Sequence, residues 1–381
     1  MKFNKWTLGL AAVGVVSLAS VANAEEKLSA IQSALSSTTI SGYVDTSLEW
    51  TLKPWQESTG VMTLIPFRGQ NKQDGFNLNV VKLSFEKPLD EGEWASGYKV
   101  DLLAGPDAVG FNASANGTAT HDFGIKQAYV ALRTPVGNGI DWKMGVFDTI
   151  IGYESFESGN NPNFTRSWGW AVEPTQHTGL LGTYKFGECA SLSVGVANTL
   201  SAGINNRNTE LPQNESFSRK TWMASFAWTA PESAGALKGS TLYVGVVDGF
   251  AGSPAASPSG PSDDQLNLYL GATVATPVTG LKVGAAFDYV DNYLGADGIE
   301  LWSVGAYVSY QATEKLSLHA RGEYVNVDTF ASGYSLTGTI QYDLWANVIS
   351  RLEIRWDEAD APAGFDGERH VGLYANVIYK F

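Results

Sequence analysis

One pattern recurs along most of the chain: apolar and polar residues alternate over stretches of roughly ten residues. In LNLYLGATVA at 266–275, the large apolar residues fall on every second position. Alternation with a period of two places the two sets on opposite faces of a β-strand. We therefore predict sixteen strands, at 39–52, 76–88, 96–104, 122–134, 140–153, 177–187, 190–200, 220–230, 240–250, 265–276, 281–292, 301–312, 316–328, 334–344, 347–358 and 369–381.

The predicted connections alternate in length. Every second connection is short, including those at 135–139, 188–189, 277–280, 313–315 and 345–346. The intervening ones are mostly long and polar, at 53–75, 105–121, 154–176, 201–219, 251–264 and 359–368, with shorter ones at 293–300 and 329–333. An antiparallel meander that crosses a membrane produces this alternation, because its turns lie on one side and its loops on the other.

The two faces of the predicted sheet differ in a way that indicates which one is wet. The apolar face carries Trp and Tyr near the strand ends, such as Trp50, Trp302 and Tyr379, which is typical of aromatic girdles at a membrane surface. The opposite face carries charged residues such as Asp101 and Arg321. Charged side chains that face a water-filled lumen are tolerated, and apolar side chains that face lipid are favoured.

The chain ends inside a strand, VGLYANVIYKF, and Phe381 continues the alternation. Termini are normally frayed and polar. In hydrocarbon each unpaired backbone group costs several kcal/mol, so an open sheet edge is not tolerated. The last strand is therefore predicted to pair with the first. This predicts an all-β transmembrane antiparallel up-and-down barrel of about sixteen strands over 39–381, wide enough for an aqueous channel.

The N-terminus predicts export. Lys2 and Lys5 precede an apolar run that is too short to span a membrane as a helix, and an Ala-Asn-Ala site ends at Ala24. Residues 1–24 are therefore predicted to be a signal peptide, and 25–38 a short periplasmic segment with a helix over 26–36. A lone cysteine, Cys189, excludes an internal disulfide. A net charge of −14 argues against nucleic acid as a partner.

Four stretches resemble the OmpL-like family of outer-membrane β-barrel porins: SALSSTTISGYVDTSLEW, LLAGPDA, IKQAYVAL and GVFDTIIGYESFESGNNPNFTRSWGWAVEPTQHTG. The resemblance covers essentially the whole chain after Ala24. It implies passive diffusion of ions and small hydrophilic solutes across the outer membrane of a Gram-negative bacterium, with no enzymatic activity and no cofactor. The terminal strand resembles the assembly signal of such barrels, with Tyr379 and Phe381. This implies membrane lipid and the barrel assembly machinery as partners.

By analogy with sixteen-stranded general porins, the connection after the fifth strand is expected to fold into the channel and narrow it. That connection is 154–176, and its charged residues Glu154, Glu157, Arg166 and Glu173 are the candidates for a constriction. The alternative is an extracellular loop held by its own packing. General porins also assemble as homotrimers, which the analogy extends to this chain as an expectation.

A second set of candidates lies on the inward face of the predicted strands. These pore-wall residues are Lys99, Asp101, Arg321, Glu323, Arg351, Glu353 and Arg355. The three arginines would set a transverse field across the channel if they face acidic groups of the loop. Alternatively, Glu323 and Glu353 pair with the arginines and only brace the wall.

Other functions have weaker support in the sequence. A channel specific for a solute such as an oligosaccharide would need a track of inward aromatic rings, and the candidates lie on separated strands: Tyr43, Tyr243, Tyr269, Tyr307 and Tyr374. A structural or adhesive barrel plugged by its loops is a further alternative. The pair His121-Asp122 is the only hint of acid–base chemistry, and the four histidines have no metal-ligand spacing.

Overall fold

The computed structural model describes residues 37–53, 72, 74–109, 111, 122–198, 200, 204, 219–251, 264–328, 331–360 and 368–381. Ile40–Phe381 forms one compact unit that carries the barrel. The predicted signal peptide at 1–24 and the predicted helix at 26–36 lie outside the described residues, and so does His121. No helix in the described ranges is long and apolar enough to cross a membrane.

Sixteen strands form one closed antiparallel barrel in which each strand pairs with its neighbours in sequence, and β1 pairs with β16. The predicted fold class is therefore confirmed. The strands are β1 Thr39–Lys53, β2 Gly75–Lys87, β3 Ser96–Ala104, β4 Phe123–Thr134, β5 Ile140–Asp148, β6 Gln176–Lys185, β7 Ala190–Ala197, β8 Thr221–Thr229, β9 Thr241–Phe250, β10 Asp264–Ala275, β11 Leu281–Asp291, β12 Leu301–Gln311, β13 Leu316–Val327, β14 Ala331–Tyr342, β15 Val348–Asp360 and β16 Glu368–Lys380.

The barrel closes between β1 and β16, as the alternation in the last strand predicted. Thr46 of β1 is opposite Val377 of β16. At the end of the seam, the amide of Gly42 donates to the carbonyl oxygen of Phe381 at 2.9 Å, and the amide of Phe381 donates to the carbonyl oxygen of Gly42 at 3.0 Å. The last residue is therefore part of the seam, and no edge is left along this pair of strands.

The charged side chains point inward and the apolar ones outward. On β15, Leu352 is 59% exposed and Ile354 is 51% exposed, whereas Arg355 and Asp357 are fully buried. This inverted arrangement is stable when lipid covers the outer face, because burying an unpaired charge in hydrocarbon costs several kcal/mol.

The largest difference from the predicted boundaries is at the end of β5, which stops at Asp148 and not at 153. Beyond Asp148 the chain turns away from the wall, and Gly152 adopts a φ of +116°, where residues with a side chain are rarely found. The amide of Thr149 donates to the carbonyl oxygen of Thr175 at 3.2 Å, so the two ends of the connection meet. Apolar residues at 150 and 151 extend the alternation in sequence, but they pack inside the barrel.

An extra residue in β4 turns the lysine at 126 towards the lumen. The pairing of β3 with β4 shifts between Asp101 and Leu102, which are opposite Gln127 and Ile125, so Lys126 is the additional residue of a β-bulge. Lys126 and Gln127 are consequently both buried on the inner side. The Lys126 ammonium forms an ion pair with Asp148 at the end of β5.

Candidate channel constriction

The connection between β5 and β6, residues 149–175, lies inside the barrel; we call it the inward loop. It contains a short 3₁₀-helix, Ser158–Asn160, and one α-helical turn, Trp168–Val172, which we call α1. Ser167 caps α1, because its hydroxyl oxygen accepts from the Trp170 amide at 3.0 Å. Polar side chains of β11 and β13–β16 face the loop, so a buried hydrogen-bond network holds it.

Glu353 of β15 binds the backbone of the inward loop. Its carboxylate accepts from the amides of Phe164 at 2.6 Å and Thr165 at 2.8 Å, and from the Thr165 hydroxyl at 2.5 Å. The Thr339 hydroxyl of β14 donates to it at 2.6 Å. Glu353 is 1% exposed, so four donors replace the water that the charge would otherwise bind.

Arg321 of β13 is the second anchor. Its guanidinium donates to the Glu154 carboxylate at 2.8 Å, to the Thr165 carbonyl oxygen at 2.6 Å and to the Glu323 carboxylate at 2.6 Å. Glu323 in turn accepts from the Trp168 amide at 2.6 Å. One arginine and two carboxylates therefore join the wall to both halves of the loop. Removing one member would leave an unpaired buried charge, which costs several kcal/mol.

Further contacts continue the anchoring line along β15. Arg355 pairs with Asp357 at 2.8 Å and donates to the Arg166 carbonyl oxygen at 2.5 Å. Arg351 donates to the Ser158 carbonyl oxygen at 2.9 Å. The side chain of Arg166, which lies on the loop, donates to carbonyl oxygens of the loop itself, those of Phe156 and Phe164.

The charged residues on β2 and β3 form a separate group. Lys82 lies between two carboxylates, Asp101 at 3.0 Å and Glu157 of the inward loop at 2.5 Å. Lys99 pairs with Glu86 at 3.1 Å. Asp101 is fully buried, whereas the side chains of Lys82, Lys99, Glu86 and Glu157 are partly exposed and line a cavity of about 280 Å³.

Glu173 follows α1 and lies beside Asp288 of β11. Burial raises the pKa of the Glu173 carboxyl well above its usual range, and the charge of the Asp288 carboxylate raises it further. The Ser303 hydroxyl donates to Asp288 at 3.3 Å. Two buried carboxyl groups this close are most stable when they share a proton, because two adjacent negative charges repel each other.

The predicted loop residues therefore lie in three environments. Glu154 and Arg166 are buried in the network that fixes the loop, Glu157 joins Lys82 beside the cavity of β1–β3 and β16, and Glu173 adjoins Asp288. The role of these four residues in a constriction stays a prediction.

The contacts on the wall match the bracing alternative only in part. Glu323 pairs with Arg321 but also accepts from the Trp168 amide of the loop, and Glu353 binds the loop backbone and not an arginine. Lys99 and Asp101 lie away from this group, on β3. Their roles, like those of the wall arginines, stay predictions.

Sequence reasoning missed two kinds of residue. Lys82 falls on the inward face of β2, and the alternation around it was the signal that could have found it. The hydroxyls of Thr165 and Thr339 carry no sequence signal, because only the folded loop brings them to Glu353.

The inward tyrosines do not form an exposed aromatic track. Tyr269 is 4% exposed, Tyr307 is 3% exposed and stacks on Tyr153 of the inward loop at a centroid distance of 4.0 Å, and Tyr374 is 5% exposed. A Cβ at Gly271 would collide with the Tyr269 hydroxyl, so this ring lies flat along the wall. Tyr243, which is 44% exposed, is the accessible ring among the five predicted.

A polar cavity of about 740 Å³ lies between the inward loop and β9–β14. The loop contributes Asn160 and Asn161 to its lining, and the wall contributes Lys282, His319 and several hydroxyl groups. His319 is bonded to the Ser309 hydroxyl at 2.9 Å. Among the described residues, no group of three His, Cys, Asp or Glu side chains could hold a metal ion. A cavity with this polar lining, inside a barrel whose outer face is apolar, can hold water.

The fold and the polar lumen place the chain among membrane channels of the porin class. Residues 37–381 match the family described as "Putative beta-barrel porin-2, OmpL-like", and the chain belongs to this family. The resemblance found in the sequence is thereby confirmed. No curated protein matches the chain by sequence.

Solved porin structures share the fold at low sequence identity. The anion-selective porin from Comamonas acidovorans is 12% identical, with a TM-score of 0.61, over 91% of this chain and 99% of its own. The outer membrane channel DcaP of Acinetobacter baumannii is 14% identical, with a TM-score of 0.59, over 90% and 97% of the two chains. OmpT of Vibrio cholerae, expressed in the outer membrane, is 12% identical, with a TM-score of 0.55, over 90% and 97%.

Proposed function

We propose that the protein is an outer-membrane diffusion channel for ions and small hydrophilic solutes. The observation that carries this proposal is the inward loop: wall side chains hold it inside the barrel through buried hydrogen bonds, and polar cavities remain beside it. A loop fixed in this way narrows the lumen without filling it. Solute size and charge, and not a chemical step, then determine passage.

Membership of the porin family supports the outer-membrane location. Export by the predicted signal peptide and insertion by the barrel assembly machinery are part of the proposal. A homotrimer is also proposed, because an OmpT structure of the same fold is a trimer form. The rival channel for an oligosaccharide has less support, since four of the five inward tyrosines are buried or nearly so.

The test is single-channel recording in planar bilayers with the purified, folded protein. Stepwise ohmic currents that scale with salt concentration are expected from a water-filled pore. Saturation of the current, or its block by a particular sugar, would favour the solute-specific alternative. A barrel that is folded by its heat-modifiable migration in gels but passes no ions would end the channel proposal and favour a structural or adhesive role.

A further inference from the structure

The charges that line the lumen are unevenly distributed along the barrel axis. The connections at 135–139 and 312–315 mark one end, which we call the turn side; the ends of β5 and β15 at Asp148 and Asp360 mark the other, the loop side. Because strands alternate in direction, the position of a residue in its strand gives its height in the barrel, and the sheet register relates neighbouring strands.

The turn-side half of the lumen carries an excess of cations. Lys143 is the fourth residue of β5, Lys282 the second of β11 and Lys380 the last of β16, so all three lie towards the turn side. Lys282 lines the larger cavity, and Lys380 lines the smaller one. Lys143 is opposite the buried Leu181, with its ammonium 5.0 Å from the centre of the Tyr129 ring.

These cations have few carboxylate partners. Within the described part of the chain, no carboxylate forms an ion pair with Lys143, Lys282 or Lys380; the Lys380 ammonium donates instead to the Gly159 carbonyl oxygen at 3.2 Å. Arg351, fourth in β15, likewise bonds to a carbonyl oxygen and a Gln side chain. The described lining of the larger cavity includes no carboxylate.

The loop-side half has the opposite excess. Lys126, Arg321 and Arg355 each have a carboxylate partner there. At mid-height, Lys82 is shared by Asp101 and Glu157, so that this triad keeps one negative charge.

One carboxylate of the turn-side half offsets part of its positive charge. Asp45 of β1 is opposite Ile378, two residues before Lys380, and accepts from the side chains of Asn79 and Asn376, which are neutral. On the loop side, the Glu173–Asp288 pair adds one negative charge even when it holds one proton. Arg166 adds a positive charge on the inward loop. The Glu353 carboxylate, which binds the amide of the preceding residue Thr165, adds a negative charge that offsets it.

We propose that the lumen is bipolar along its axis: its turn-side half concentrates small anions and its loop-side half concentrates small cations. This inference rests on the proposed diffusion channel and deepens it. Lys143 and Lys282 are the residues that determine the anion preference, since neither of them holds the inward loop. Carboxylates in the turns themselves, such as Glu188 and Glu314, are exposed at the mouth, where bulk salt screens them most.

The experiment uses a salt gradient whose direction is reversed on the same inserted channel. With about 0.1 M KCl on one side and about 1 M on the other, the Debye lengths are about 10 Å and 3 Å, so only the charges near the dilute side remain effective. The reversal potential is expected to indicate anion preference with the turn side dilute and cation preference with the loop side dilute. No other marker of orientation is needed, because the two gradients are compared within one channel.

Substitutions assign the effect to the turn-side half. Lys143→Gln combined with Lys282→Gln should lower the anion-to-cation permeability ratio about fourfold in one gradient only, at roughly twofold per charge in water. Asp45→Asn should act mainly in the same gradient and raise that ratio, because Asp45 is opposite Ile378 near the turn-side end of the seam. Lys238→Gln is the matched control, because Lys238 pairs with Glu232 on an exposed turn at the same end of the barrel, and neither ratio should change.

The outcomes separate this inference from the function on which it rests. A conducting channel with the same ion preference in both gradients overturns the bipolar lumen and leaves the diffusion channel standing. Equal shifts in both gradients for the double lysine variant overturn it as well. A folded barrel without any conductance overturns both proposals.

Discussion

Replacing Glu353 by Gln should loosen the inward loop while leaving the barrel intact. The carboxylate accepts four hydrogen bonds, from the amides of Phe164 and Thr165 and from the hydroxyls of Thr165 and Thr339. Gln retains one carbonyl oxygen, and its amide group would point hydrogen atoms at backbone amides that are themselves donors. The change preserves volume, so packing is not the variable.

The size of the effect follows from these contacts. Hydrogen bonds to charged groups contribute roughly 1.5–3 kcal/mol each, and a buried donor left without an acceptor costs roughly 1–3 kcal/mol. Since Arg321 and Arg355 still hold the neighbouring backbone, we expect the docked loop to lose about 2–4 kcal/mol in total. The ratio of docked to undocked loop would fall about 30- to 700-fold, since each 1.4 kcal/mol is a factor of ten.

Single-channel recording is the appropriate assay, because docking and undocking of the loop change the pore width. We expect the variant to show rapid current fluctuations and a higher mean conductance than the wild type. Glu232→Gln is the matched control, since that carboxylate lies on an exposed turn at 81% side-chain exposure. If the variant folds, by heat-modifiable migration, and its current is as quiet and as small as the wild type's, Glu353 does not hold the loop.

Three further changes test other parts of the structure. The raised pKa of Glu173 means that its protonated form favours the docked loop, so this stabilisation should be complete below the ordinary glutamate pKa and lost as pH rises through the raised pKa. Glu173→Gln should flatten the resulting pH dependence of the current fluctuations. An unchanged pH profile would contradict the assignment. Deleting residues 157–172 should raise conductance, and a deletion barrel that conducts like the wild type would place the narrowest point elsewhere. Deleting Phe381, or replacing it by Asp, should reduce the amount of folded barrel in the outer membrane without blocking export, because Phe381 closes the seam with Gly42. Normal amounts of folded barrel, measured by quantitative immunoblotting, would count against an assembly role for Phe381.

The sequence was sufficient for the barrel because lipid imposes simple rules. Alternation with a period of two fixes which side chains face outward, and the absence of a tolerated edge requires the last strand to pair with the first. Most of the sixteen predicted strands consequently agree with the structure to within a few residues, and β3 agrees at both ends. The one substantial error, at the end of β5, arose because apolar residues at 150 and 151 are buried inside the barrel by the inward loop.

The sequence could single out charged residues for the site but not their partners. Glu154 and Arg321 are 167 positions apart, and Thr165 and Glu353 are 188 apart, so no local pattern could have paired them. Periodicity along a strand specifies a face and a height in the barrel. Which cations the loop covers and which remain in water depends on the path of a 27-residue connection, from 149 to 175, that has no periodicity of its own.

The closed barrel and its polar interior could be predicted from the sequence, because both depend on side-chain alternation and on backbone groups that must all be paired. The family could be predicted from four stretches that resemble its members. Tertiary structure alone decided that the wall arginines hold the loop while Lys143 and Lys282 remain in the lumen without carboxylate partners among the described residues. The physical reason is that a charge acts according to what lies within a few ångströms of it, and those neighbours come from distant parts of the chain.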